Sequence, residues 1–204
     1  MANTNSPFGF QDSGSLSGVV PNSGLDQGLI LNSYGTQIFR GDPIIRATSG
    51  YIQQAAAGTT QILGIFMGCE YYSTAAKQPL WSPYWPAGTP STLNAKAYFI
   101  SNPNNVFLVQ TANSNTTASA ATIANVGMTA QFSLGAGGNT SNGISGAYLD
   151  LYQAGDTTTQ PFKIVALAST YLAPGSPGSD DTTAYNWVYA SFNFQVYRSL
   201  DGHS

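Results

Sequence analysis

Residues Ile62–Pro86 read ILGIFMGCEYYSTAAKQPLWSPYWP, and the fold class turns on this stretch. Ile62 to Cys69 is a continuous apolar run interrupted only by Gly64 and Gly68. A run of that length bounded by turn signals reads as a strand buried on both faces. Glycines inside such a run mark a bulge or a close backbone approach. The run ends in two tyrosines and then Trp81-Ser82-Pro83-Tyr84-Trp85-Pro86. Pro83 and Pro86 each remove a backbone donor and push the preceding residue toward extended conformations. This end therefore reads as an irregular aromatic slab. It is either a loop folded over its own barrel end or, in part, an intersubunit surface, where Trp and Tyr are enriched.

On either side of the central run the chain is punctuated at short intervals. Tyr34–Phe39, Ile44–Ala47 and Tyr51–Ala55 read as short strands separated by Gly41-Asp42-Pro43 and Thr48-Ser49-Gly50. Ala97–Ile100 and Val106–Gln110 read as a hairpin joined through Asn102-Pro103-Asn104-Asn105. Tyr148–Tyr152 and Phe162–Ser169 add two more strands, and residues 135–146 and 174–184 read as loops. Tyr185–Arg198 is the clearest alternation in the chain. It puts Val188, Ala190, Phe192, Phe194 and Val196 on a core face and Trp187 and Tyr189 on the other. The one helix candidate is Ala118–Asn125, capped by Thr117 or Ser119 and followed by Gly127, with Ile123 and Val126 plugging the end of a β core.

Strands so closely spaced predict an all-β protein, a barrel or jelly-roll-like sandwich with at most one or two short helices. Residues 1–28 lack periodicity and read as an extended N-terminal arm, or as a frayed terminus. Residues 29–204 form the all-β domain, and the polar break at 111–117 is where it would divide into two lobes.

Charged residues make up only 7% of the chain, against about 25% in ordinary globular domains. None occurs from Ala97 through Leu149. A net charge of −3 offers no basic field for nucleic acid and no polybasic patch for an anionic membrane. A surface so sparing of charge fits one kept largely against other protein. The first residues, MANTNSPFGF, lack the charged and apolar regions of a signal peptide, and no run of about 18 apolar residues occurs. Cys69 is the only cysteine, so an internal disulfide is excluded.

The residue types needed for catalysis are scarce. The single histidine, His203, is next to last, and a Ser-His-Asp or Cys-His site built on it is not expected. Asp180 and Asp181 share a polar loop and with Asp156 could hold Ca²⁺ only weakly, without the spacing of a recognised calcium loop. Glu70 follows the buried run, where an ion pair to Lys77 or Arg46 would account for it. No catalytic, cofactor or metal site is expected. The expected functional residues are interface aromatics: Phe8 and Phe10 on the arm, Trp81, Tyr84 and Trp85 in the slab, and Trp187 and Tyr189 on the last strand.

Several motifs, taken in order, resemble a known family. These are Phe8-Gly9-Phe10, IFRGDPI (Ile38–Ile44), ILGIFMGCEY (Ile62–Tyr71) and WSPYWP (Trp81–Pro86). They continue with ANVGMTAQFSLGAGGNTSNGISGAYLD (Ala124–Asp150) and PFKIVAL (Pro161–Leu167). Together they resemble the head decoration, or cement, proteins of tailed bacteriophages. The resemblance implies a β-barrel or jelly-roll-like fold, a homotrimer, the major capsid protein as partner, and a place on the outer surface of the virion head. Where relatives continue with arginines after the arm's Gly-Phe, this chain has Gln11-Asp12-Ser13, so no basic anchor carries over. The other class of function open to such a chain is a phage tail, receptor- or glycan-binding β module, with the tryptophans stacking on sugars.

Overall fold

A computed structural model describes residues 2–16, 24–87, 93–114, 118–155 and 158–197. The protein is all-β and is built from two six-stranded sheets and a two-stranded ribbon. The first sheet takes the order β2 (Asp26–Ile30), β9 (Ala95–Ile100), β6 (Gly64–Ser73), β4 (Pro43–Arg46), β5 (Ile52–Gln54), with β7 (Gln78–Ser82) also paired to β6. Its core holds Ile30, Ile44, Ile52, Leu63, Phe66, Cys69 and Phe99. The ribbon of β3 (Ile38–Phe39) and β8 (Tyr84–Trp85) brings Trp85 into that core.

The second sheet runs β1 (Gln11–Ser15), β10 (Asn105–Ala112), β12 (Tyr148–Gly155), β11 (Thr129–Ser133), β13 (Phe162–Leu167), β14 (Trp187–Phe192). Because β14 also pairs with β10, its last five strands close into a ring. The ring is filled by Phe107, Val109, Phe132, Leu149, Phe162, Ile164, Val188, Ala190 and Phe192. Closure removes most of the free edge that an open sheet would leave, and β1 covers Asn105 to Leu108 of β10, which β12 does not reach.

The central run lies between the two cores. Ile65 belongs to the core of the second sheet, and Phe66 and Cys69 to that of the first. Strict alternation would put Phe66 and Cys69 on opposite faces. A register shift against β9 between Phe66 and Gly68 brings them to the same one. Gly68 has φ 149°, and a Cβ there would lie 2.8 Å from the Trp81 ring. The strand is therefore buried on both faces as far as Cys69, as the composition of that part demands.

The glycine-bearing motifs meet where the sheets join. The Phe10 N–H donates to the Gly41 carbonyl (3.0 Å), Gly9 N–H to Ala147 (3.1 Å) and Gly41 N–H to Phe66 (2.8 Å). Gly9 has φ 74°, and a Cβ on it would lie 2.7 Å from Ser145 and 3.0 Å from Gly41 Cα. Only two glycines let these backbones approach so closely. Asp42, 2% exposed, completes the joint. Its carboxylate accepts from the Phe39 N–H (2.8 Å), from Gln54 Nε2 (2.7 Å) and from Ser145 Oγ.

Several expectations are corrected. Strands β9 and β10 do not form a hairpin: β9 pairs with β2 and β6, whereas β10 pairs with β1, β12 and β14. The chain thus crosses between sheets at 101–104, and Thr111 and Ala112, at the start of the expected break, lie inside β10. The helix over Ala118–Asn125 is absent among the described residues, where only Ile123–Asn125 form a 3₁₀ turn. Asn186 overrides the local propensity, since its side chain accepts from the Ala121 N–H (2.9 Å) and donates to the Ala121 carbonyl (2.8 Å). Ile123 is 75% exposed and plugs nothing, although Val126 packs on the core.

The WSPYWP stretch is not wholly irregular. Trp81 and Ser82 end β7, where Pro79 is tolerated because the strand has no partner beyond β6 among the described residues, and Tyr84-Trp85 form β8. The last strand stops at Phe192 because Asn193 N–H turns to Pro161 and Gln195 Nε2 bridges the carbonyls of Leu63 (2.7 Å) and Ser101 (2.9 Å). Finally, residues 2–16 of the arm lie along the protein's own second sheet, with β1 antiparallel to β10.

Candidate interaction surface

Cross-strand pairing in the first sheet fixes which side chains share its outer face. Trp81 opposes Glu70, Glu70 opposes Lys96, and Lys96 opposes Leu29. A row therefore runs across β7, β6, β9 and β2, because directly opposed residues project to one side. Trp81 is 62% exposed and Leu29 49% exposed. Tyr72 and Pro79 form the next pair on the same hairpin and are both exposed. The Trp81 ring lies over Gly68, and Glu70 Oε2 accepts from Tyr98 Oη (3.1 Å). The row is amphipathic: an indole, a carboxylate, an ammonium and a leucine, on strands whose opposite faces form the first core. Glu70 thus has the Tyr98 phenol as its hydrogen-bond partner, and burial, followed by this bond to the carboxylate, pushes the Tyr98 pKa up.

The predicted interface residues do not gather in one place. Phe10 is buried in the second core, stacked on Phe162 (centroids 4.2 Å apart, 16°) and edge-on to Phe107. Trp85 is fully buried, and its Nε1 donates to the Tyr34 carbonyl (3.1 Å). Neither has surface to offer a partner, so both are corrected to core residues. Tyr84, half-buried, stacks on Phe39. Phe8 meets Trp187 edge to face at 4.8 Å, and the other side of Trp187 covers Gly178. Tyr189 is half-buried beside Tyr171, which is 70% exposed. Among the predicted aromatics only Trp81 is freely presented. Sequence reasoning missed Leu29, Tyr72, Lys96 and Glu70 as its neighbours, because their adjacency depends on register across four strands.

The buried ionisable groups are held rather than presented. Burial pushes the Asp42 carboxyl above its ordinary value, opposed by its bonds to Ser145, Phe39 and Gln54. Burial also pushes the Cys69 thiol up to about 12, and its Sγ donates to the Tyr84 carbonyl. A thiol so far from ionisation is a small apolar filler. Asp180 is half-buried, and its bonds from Thr182 lower its pKa. Asp156 and His203 lie outside the described residues. Among the described residues no three His, Cys, Asp or Glu side chains cluster as metal ligands, and no helix is long and apolar enough to cross a membrane.

Comparison with protein-family models, with curated proteins and with solved structures finds no match to this chain.

Proposed function

We propose that this protein is a virion structural component, a cement protein that binds the outer surface of a tailed-phage head and stabilises the shell by bridging capsomers. The observation that carries the reading is the outer face of the first sheet, with an indole 62% exposed at its edge in a chain that has only 7% charged residues. The motif order that resembles head decoration proteins supports it. In this reading the partner is the major capsid protein, the assembly is a homotrimer at local three-fold axes, and Trp81 with Leu29 and Tyr72 forms the contact.

Heads stripped of the protein and re-incubated with it test the proposal. A central tryptophan anchor contributes about 2 kcal/mol or more, so Trp81→Ser should weaken occupancy by roughly 30-fold. The Tm of the free protein should barely move, since exposed substitutions usually lie within about 0.5 kcal/mol. Occupancy should also persist in molar NaCl, because surface ion pairs contribute only ~0–1 kcal/mol each. Undiminished occupancy by the variant would sink the reading.

One feature favours a second class of function. Trp81 is an exposed ring with a carboxylate, Glu70, opposite it, which suits stacking on a sugar with a hydroxyl bonded alongside. Saturable retention on a glycan array, lost in Trp81→Ser while head binding survives, would establish that reading instead.

A further inference from the structure

A cleft of about 320 Å³ lies where the N-terminal strands meet the crossing between the sheets. Asp12 of β1, Asp26 of β2, Ser101, Asn102 and Asn105 all line it, and among the described residues no lysine or arginine does. Asn105 is 2% exposed. Its Nδ2 donates to Asp12 Oδ1 (3.1 Å), and its Oδ1 is buried with no hydrogen-bond partner. Orphaned buried acceptors are rare in folded proteins, and a bound water or ion is one physical reason for one. Swapping the two atoms of the amide would not help, since it would bring an oxygen against the Asp12 carboxylate. On the other wall Asp26 accepts from Ser101 Oγ. The donor set is thus two carboxylates from separate strands and a neutral amide oxygen.

We propose that this cleft binds a divalent cation of the calcium class through Asp12, Asp26 and the Asn105 amide oxygen. Hard cations take oxygen ligands, and Ca²⁺ in particular accepts six to eight in irregular geometry, with water completing the shell. The ion would tie β1 and β2 to the crossing, and so hold the N-terminal strands against both sheets. This site is independent of the capsid reading.

Calcium chloride titrated into the full chain, followed by calorimetry and thermal melting, tests the proposal. One saturable site is expected, with a Kd on the order of 10⁻⁴–10⁻³ M, as in modestly charged calcium sites. At about ten times Kd the Tm should rise by about 3–6 °C over the value in EDTA. Asp12→Asn and Asp26→Asn should each weaken binding at least tenfold, and Asp180→Asn, on a distant loop, should leave it unchanged. Asn105→Asp should melt lower than wild type in EDTA and gain more from calcium, because the ion then separates two carboxylates. No saturable heat and no melting shift in the wild-type chain would overturn the proposal, as would an unaltered Kd in Asp12→Asn and Asp26→Asn.

Discussion

Phe10→Ala is the most direct test of how the N-terminal arm is held. Phe10 is 1% exposed and sits inside the second core, stacked on Phe162 and edge-on to Phe107. Removing a buried phenyl loses its transfer free energy and leaves a cavity, together about 3–5 kcal/mol. The arm reaches this core from outside the closed ring, so collapse around the gap is limited by the Gly9–Gly41 contact, where the backbones already touch. The upper half of the range is therefore expected. For a chain of this length each kcal/mol moves Tm by about 2–4 °C, so the melt should fall by roughly 8–20 °C. Urea unfolding should show a lower midpoint with an unchanged slope, the signature of lost stability rather than altered compactness. A fall of less than about 2 °C would show that the arm is not part of the core and that the packing described for it is wrong.

Trp187→Ser should lower stability by about 2 kcal/mol, because the ring is packed between Phe8 and Gly178 of its own chain, and light scattering should show an unchanged assembly mass. Asp42 predicts a pH dependence. Its folded pKa is raised above the ordinary 3.8, so its contribution to stability is full below that value and is lost as pH rises through the folded pKa. Denaturation of wild type and Asp42→Asn across pH 3–8 should therefore show the difference moving in favour of the variant as pH rises. A difference that is flat with pH, or one moving toward wild type, would mean that burial does not dominate at this carboxyl.

What could be read from the chain follows from how local each cause is. The burial of Ile62–Cys69 on both faces was legible because composition alone demands it, and β4, β5, β12 and β13 appear within a few residues of their expected bounds. The crossing at 101–104 was not legible. Asn102-Pro103-Asn104-Asn105 is turn chemistry, and the same residues serve a hairpin or a change of sheet; partners far along the chain decide which. The helix failed for a similar reason, since its capping residues and apolar spacing are real but Asn186, 65 positions away, takes the backbone groups of Ala121. The tryptophans of WSPYWP look alike in sequence. Pro83 separates them into strands of different sheets, which leaves Trp81 outside and Trp85 inside.

The arm shows how an energetic argument can fix what a segment needs without fixing which edge supplies it. Ordering ten residues costs roughly 10–20 kcal/mol of backbone entropy, and two buried phenyl rings return about 3–6. The arm must therefore hydrogen-bond its backbone to something, and adding a strand to a sheet edge is the simplest way. The edge it uses is its own. Strand β12 reaches only Thr111 and Ala112 of β10, so Asn105 to Leu108 would stand unpaired on that side, and β1 pairs with them from Gln11 to Ser15. Asn3 and Ser6 extend the attachment, through bonds to Thr183 and to the Gln110 side chain. Deleting residues 2–16 should thus do two things together. It should lower Tm by more than Phe10→Ala alone, and it should leave β10 with an open edge, which invites pairing between molecules. Light scattering should then show species larger than the wild-type assembly, increasing with concentration. A truncated protein with the wild-type mass and melt would mean that β10 needs no cover and that the arm adds nothing to the fold.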